Sequence, residues 1–313
     1  MNLYISAILL ILGFLLLVKG SDLFVDGSAS VARLMGIPAV IVGLTIVSIG
    51  TSAPEAAVSI TAGINGSNEI AFSNLVGSNI FNMLMVAGLS AAISPFFVDK
   101  TIIKRDFPFC IAVMVIAMAM SMTDNVVSRL EGAILLAIFV AYIIYLVLGA
   151  IKSRETENNY EKPMSAFKSI IFIIIGIVAI ILGGQLVVKS ATFVAEKFGM
   201  SETLIGVTIV AIGTSLPELV TSVVAARKGQ SEIAIGNVIG SNIFNIVFIL
   251  GMSSMLNPIG IVKEAIIDSL IMVAITIIGY VFCLKGKKLN RSEGIIFVSL
   301  YIIYTIYLIM RYF

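Results

Sequence analysis

Apolar stretches follow one another along almost the whole chain, separated by short polar turns. Ten can be drawn, over residues 3–34, 37–64, 69–93, 104–122, 127–149, 166–198, 202–227, 232–256, 263–284 and 293–311. About 20 apolar residues in a helix match the roughly 30 Å hydrocarbon core of a bilayer, so the pattern predicts ten transmembrane helices. The first and sixth stretches are longer than a perpendicular crossing needs and are expected to tilt or to extend beyond the bilayer. The opening "MNLYISAILLILGFLLLVKG" carries no basic leader and no small-residue cleavage site, and it is expected to be retained as the first span. One connection is clearly hydrophilic, "KSRETENNYEK" at 152–162. It divides the chain into residues 1–150, a cytoplasmic linker at 151–165, and residues 166–313, with five spans on either side.

Composition agrees with this pattern. Of the 313 residues, 59% are hydrophobic and only 12% charged, whereas a soluble domain has about 45–50% apolar residues even with glycine counted. The expected fold class is therefore an all-α polytopic membrane protein embedded in the lipid bilayer. The net charge of +2 carries no nucleic-acid signal, and none is expected as a partner. The distribution of charge is more informative. With the N-terminus placed outside, the inner connections hold about fourteen Lys and Arg and the outer ones about four. The positive-inside rule then puts both termini outside. Histidine is absent, and Cys110 and Cys283 sit inside apolar runs, where they read as small buried hydrophobes.

The chain repeats itself. Residues 43–63, "GLTIVSIGTSAPEAAVSITAG", align with 206–226, "GVTIVAIGTSLPELVTSVVAA". Residues 69–82, "EIAFSNLVGSNIFN", align with 232–245, "EIAIGNVIGSNIFN". The offset is a constant 163, ungapped from Gly43/Gly206 to Pro95/Pro258, and about two-thirds of the positions in these windows are identical. Five spans per half is an odd number, so the halves must enter the membrane in opposite directions. In such an inverted repeat the substrate site is expected near the midplane where the halves meet.

The repeated motifs supply the chemistry. Pro54 has no amide hydrogen, which deprives the carbonyl of Gly50 of its helical partner, and Pro217 does the same to Gly213. Freed carbonyls at membrane depth are tolerated where they line a cavity. Thr51, Ser52 and Glu55 stand within one turn of each other, as do Thr214, Ser215 and Glu218, and their spacing lets each trio crowd toward one face. Proline, threonine and serine alone would also fit a packing kink. A carboxylate at the bilayer centre costs at least ~2.5–3.5 kcal/mol, and its occurrence at two equivalent positions marks Glu55 and Glu218 as functional. Asn74, Ser78 and Asn82 form a polar stripe at four-residue spacing, repeated by Asn237, Ser241 and Asn245, while Gly77 and Gly240 allow a neighbouring helix to approach. Asn79 and Asn242 point elsewhere and read as interhelical glue. Carboxylates, hydroxyls, amide oxygens and freed carbonyls are hard ligands that suit Ca2+, Na+ or Mg2+ and are poor for zinc or copper.

The paired "GTSxPE" and "GSNIFN" motifs resemble the two alpha-repeats of the sodium/calcium exchangers, in the calcium/cation antiporter superfamily. The resemblance covers essentially the whole chain. It implies an antiporter, not an enzyme, with spans 2, 3, 7 and 8 as the ion-binding core and spans 1 and 6 sliding across it. Glu55 and Glu218 would be the central acidic ligands, with Thr51, Ser52, Thr214 and Ser215 adding hydroxyl or carbonyl oxygens. Ser78 and Ser241 would complete the outer ligands, the carbonyls of Ser48 and Ala211 would contribute, and Asn82 and Asn245 would occupy the central polar positions. Some relatives, the potassium-dependent exchangers among them, carry aspartate where this chain has Asn245, which argues against potassium dependence here. The proton/calcium branch typically has "GNxxE" in its first motif, so "GTSxPE" argues for sodium, with H+/Ca2+ exchange, or K+-dependent Na+/Ca2+ exchange, at the same two glutamates as the alternative. The transported ions would be Na+ and Ca2+, with no resident cofactor, in a cell-membrane protein that works as a monomer.

Overall fold

The computed structural model describes residues 3–152, 163–200, 209 and 211–312. In chain order its principal helices are α1 (Leu3–Met35), the bent pair α2 (Ala39–Thr51) and α3 (Ala53–Ile64), α4 (Ala71–Ile93), α5 (Ile102–Thr123), α6 (Arg129–Lys152) and α7 (Ala166–Lys197). After them come α8 (Ala211–Thr214) and α9 (Leu216–Arg227), then α10 (Ser231–Leu256), α11 (Lys263–Gly286) and α12 (Arg291–Arg311). Among the described residues eight helices are long and apolar enough to cross a membrane, and a ninth is reached if α2 and α3, bent by 53° at their break, count as one span. The expected span at 202–227 is described only from α8 onward, and most of the central linker lies outside the described residues.

The helix ends repeat with the same offset as the sequence. The chain leaves α1 through Gly36 (φ 61°) and α3 through Gly66 (φ 76°), and the equivalents Gly199 and Gly229 also have positive φ. At Gly36 the amide of Ile37 reaches back to Ala32 O at 3.0 Å. This closes a Schellman turn that a Cβ would strain. Two small antiparallel ribbons exchange loops between the halves. β1 (Phe96–Phe97) pairs with β4 (Lys288–Leu289), and β2 (Val126–Val127) pairs with β3 (Ile259–Gly260).

The long helices α1 and α7, 33 and 32 residues, span about 50 Å each at 1.5 Å per residue. They lie against each other through small residues. A Cβ added at Gly13 would stand 2.9 Å from Gly183 O, one at Gly20 would stand 2.9 Å from Gly176 O, and one at Gly27 would stand 2.8 Å from Ser169 O. Positions rise along α1 as they fall along α7, so the two helices are antiparallel. Because α1 and α7 are equivalents in the duplication, the halves are inverted with respect to each other. Small residues let two backbones come this close, and Ser169 Oγ adds a 2.8 Å bond to Ser30 Oγ at one end.

The site helices are the enclosed ones. In its most apolar window α10 is 94% buried, against 11% for α12 at the periphery. α2 packs on α10 at the glycines, where a Cβ at Gly240 would meet Leu44 Cα at 2.8 Å and Ser48 Oγ at 2.7 Å. Nothing described lies within 4 Å of the corresponding position on Gly77. The residues equivalent to Leu44 there belong to 201–208, outside the described set.

Candidate cation site

The bend between α2 and α3 falls at Ser52 (φ −81°, ψ 8°), and its equivalent Ser215 (φ −93°, ψ 5°) separates α8 from α9. Pro54 and Pro217 sit in the first turn of the following helix, where a missing amide hydrogen costs nothing. Each break also places a glutamate, Glu55 or Glu218, in that first turn. There the positive end of the helix dipole favours a carboxylate. Both glutamates are buried, at 1% and 0% exposure.

The break changes which residues meet. Helical spacing suggested that Ser52 would crowd beside Glu55 of its own half. Instead Ser52 Oγ donates to Glu218 Oε1 at 2.7 Å, and Ser215 Oγ donates to Glu55 Oε1 at 2.8 Å. The bend at Ser52 takes that residue out of register with the helix after it, so its hydroxyl points across the interface between the halves. Ser78 meets Ser215 at 3.1 Å. Thr51 Oγ1 donates to Asn237 Oδ1 at 3.0 Å and lies 3.1 Å from Val47 O. Thr214 is buried at the end of α8.

The polar stripes divide by role. Asn74 Nδ2 donates to Ser59 Oγ and Asn237 Nδ2 donates to Ser222 Oγ, both at 2.9 Å, tying adjacent core helices within each half. Asn82 and Asn245 each begin a π-helical turn, Asn82–Ala87 and Asn245–Leu250, a local widening common at functional sites. Asn79 and Asn242 do not point elsewhere. Asn82 Nδ2 donates to Asn242 Oδ1 at 3.1 Å and Asn245 Nδ2 donates to Asn79 Oδ1 at 3.0 Å, so this pair does bond between helices, as expected, and does so onto the asparagines of the polar stripes. The signal was present in the repeat: "GSNIFN" carries both asparagines at both places, three residues apart, a spacing that makes them neighbours on one helix face.

Ser48 is buried on α2, and its carbonyl accepts from the amide of Ser52 at 3.0 Å and from Thr51 Oγ1 at 3.3 Å. Ala211 heads α8. Near it the amide of Ser215 makes a tighter bond, to Ile212 O at 3.2 Å.

Five oxygens in this cluster are buried without a hydrogen-bond partner: Glu55 Oε2, Glu218 Oε2, Asn82 Oδ1, Asn245 Oδ1 and Ser241 Oγ. They come from both halves of the chain. Buried polar atoms are almost always paired, and an unpaired one costs about 1–3 kcal/mol. Two carboxylates facing each other across the interface add mutual repulsion. Among the described residues no group of three or more Asp, Glu, Cys or His gathers anywhere, so neutral oxygens must supply most of any coordination here. Such a donor set accepts a hard cation and little else.

Comparison with known proteins places this geometry in context. The family model described as sodium/calcium exchanger protein matches residues 5–148 and 168–310. A putative antiporter, CaxA of Alkalimonas amylolytica, is 37% identical over 96% of this chain and 97% of its own. The sodium/calcium exchanger MaX1 of Methanosarcina acetivorans is 32% identical, covering 97% of this chain and 98% of its own. Among solved structures, the sodium-calcium exchanger NCX_Mj soaked with 2.5 mM Na+ and 10 mM Sr2+ superposes with a TM-score of 0.85 at 34% identity, over 96% of this chain and 98% of that one.

Proposed function

The chain belongs to the sodium/calcium exchanger family, and from that premise we propose that it exchanges Na+ for Ca2+ across the cell membrane at the oxygen cluster between its halves. The observation that carries this reading is the set of five unpartnered buried oxygens, two of them carboxylate. Glu55 and Glu218 provide the charge. Asn82, Asn245 and Ser241 provide neutral oxygens, and Thr51, Ser52, Thr214, Ser215 and Ser78 complete the polar wall, with the carbonyls of Ser48 and Ala211 beside it.

Exchange follows from competition. Two carboxylates are neutralised by one Ca2+ or by two Na+, so neither ion is held well while the other fills the same oxygens. Either load also offsets the cost of keeping two charges at membrane depth, which makes the loaded site the form best able to change its exposure. α1 and α7 carry that change in this reading. Their mutual contact is smooth, and they rest on the breaks themselves: a Cβ at Gly50 would meet Phe24 and Ile177, and one at Gly213 would meet Val188. The chain then has ten spans in two inverted repeats, 1–150 and 166–313 around a cytoplasmic linker, with both termini outside as the basic residues require. It acts as a monomer.

The test is calcium uptake into proteoliposomes, driven in turn by an outward Na+ gradient, a proton gradient and a K+ gradient at fixed voltage. Sodium-driven uptake is expected. Uptake indifferent to sodium and driven by protons would overturn the choice of counter-ion while keeping the site.

A further inference from the structure

Asn79 and Asn242 touch none of the carboxylates, yet they hold the two asparagines that face them. Backbone carbonyls can only accept hydrogen bonds. Asn79 Nδ2 donates to Asn242 O at 3.4 Å, with Met272 Sδ at 3.5 Å, and Asn242 Nδ2 donates to Asn79 O at 3.4 Å. Each side-chain nitrogen is therefore committed, and each Oδ1 must turn the other way. There it receives the amide nitrogen of a cluster asparagine from the opposite half, Asn245 for Asn79 and Asn82 for Asn242. With those nitrogens engaged, Asn82 and Asn245 have one polar atom left apiece, the Oδ1 that is buried and unpartnered.

We propose that Asn79 and Asn242 are positioning residues that lock the amides of Asn245 and Asn82 with their oxygens toward the transported cation. An amide is nearly symmetric in shape, so a half-turn costs little in packing. It would replace an oxygen lone pair by two positive hydrogens facing a cation. The clamp forbids that turn, because it would set oxygen against oxygen at 3.0–3.1 Å. It is also reciprocal, since each half fixes a ligand of the other, which couples both halves to one ion.

The inference rests on the proposed cation binding, and its test separates the two. CaCl2 is titrated calorimetrically, in sodium-free choline buffer, into purified full-length wild type, Asn79→Ala, Asn245→Ala and the double variant. Loss of a residue that orients a ligand typically weakens metal affinity about 10- to 100-fold, and that is expected for Asn79→Ala. The double variant should bind no more weakly than Asn245→Ala, because Asn79 acts only through Asn245. A packing role would make the two losses multiply, and that result, or wild-type affinity in Asn79→Ala, overturns the proposal. Absence of Ca2+ binding by the wild type would instead overturn the functional reading. Should Asn79→Ala not be recovered as monodisperse protein, the equivalent cycle of Asn242→Ala with Asn82→Ala gives the same decision.

Discussion

Replacing Gly176 with valine inserts a branched side chain where two backbones already touch. A Cβ on Gly176 would lie 2.7 Å from Phe24 N and 2.8 Å from both Gly20 O and Phe24 Cβ, while ordinary contact begins at 3.4 Å. The obstructing atoms are mostly backbone and cannot rotate aside. The helices must separate by about 0.7 Å at this level, which also loosens the Gly13–Gly183 contact one heptad away. Overpacking of this kind costs about 1–3 kcal/mol, and the two further methyl groups of valine put the expectation at about 3 kcal/mol. The control is Gly149→Val, also within a helix, where nothing lies within 4 Å of the added Cβ. Both exchange glycine for valine within a helix, so the difference between them reads mainly the steric effect. Unfolding in detergent, followed by tryptophan-independent probes such as cysteine accessibility at Cys110 and Cys283, reads the difference. Gly176→Val should also slow sodium-driven calcium flux, because α1 and α7 could no longer pass closely. Equal stability of the two valine variants would refute the close-packing argument.

Glu55→Gln and Glu218→Gln should each abolish sodium-driven calcium uptake, because each removes half the charge that balances Ca2+; flux at the wild-type rate would remove that residue from the site. Ser52→Ala and Ser215→Ala should cost similar stability in ion-free buffer, about 1.5–3 kcal/mol each, since each deletes a hydroxyl bond to a buried carboxylate. A loss in one and none in the other would contradict the two-fold design. Adding Ca2+ at 100 times its dissociation constant should stabilise the wild type by about 2.7 kcal/mol in thermal unfolding and leave Glu55→Gln unchanged. Tyr142→Phe removes a 3.0 Å hydroxyl bond to buried Asp106, which Arg105 also pairs. It should lower stability by about 1.5–3 kcal/mol without altering the calcium concentration at half-maximal flux.

Much was legible in the chain alone, and for identifiable reasons. Long apolar runs announce membrane spans because water and lipid sort residues so strongly. The duplication shows as identity at a fixed offset, and the antiparallel α1 and α7 bear out the inversion expected of it. Glu55 and Glu218 stand out because a carboxylate in hydrocarbon is costly, and the structure buries both. Tertiary structure alone decided the partners. Ser52 reaches Glu218 and not Glu55 because the break at Ser52 redirects the side chain, and no periodicity describes a break. Asn79 and Asn242 became part of the cluster because the two halves cross there, bringing together residues 163 positions apart. The glycines at 13, 20, 176 and 183 were visible as letters, but which helix they faced depended on how two antiparallel helices met in space.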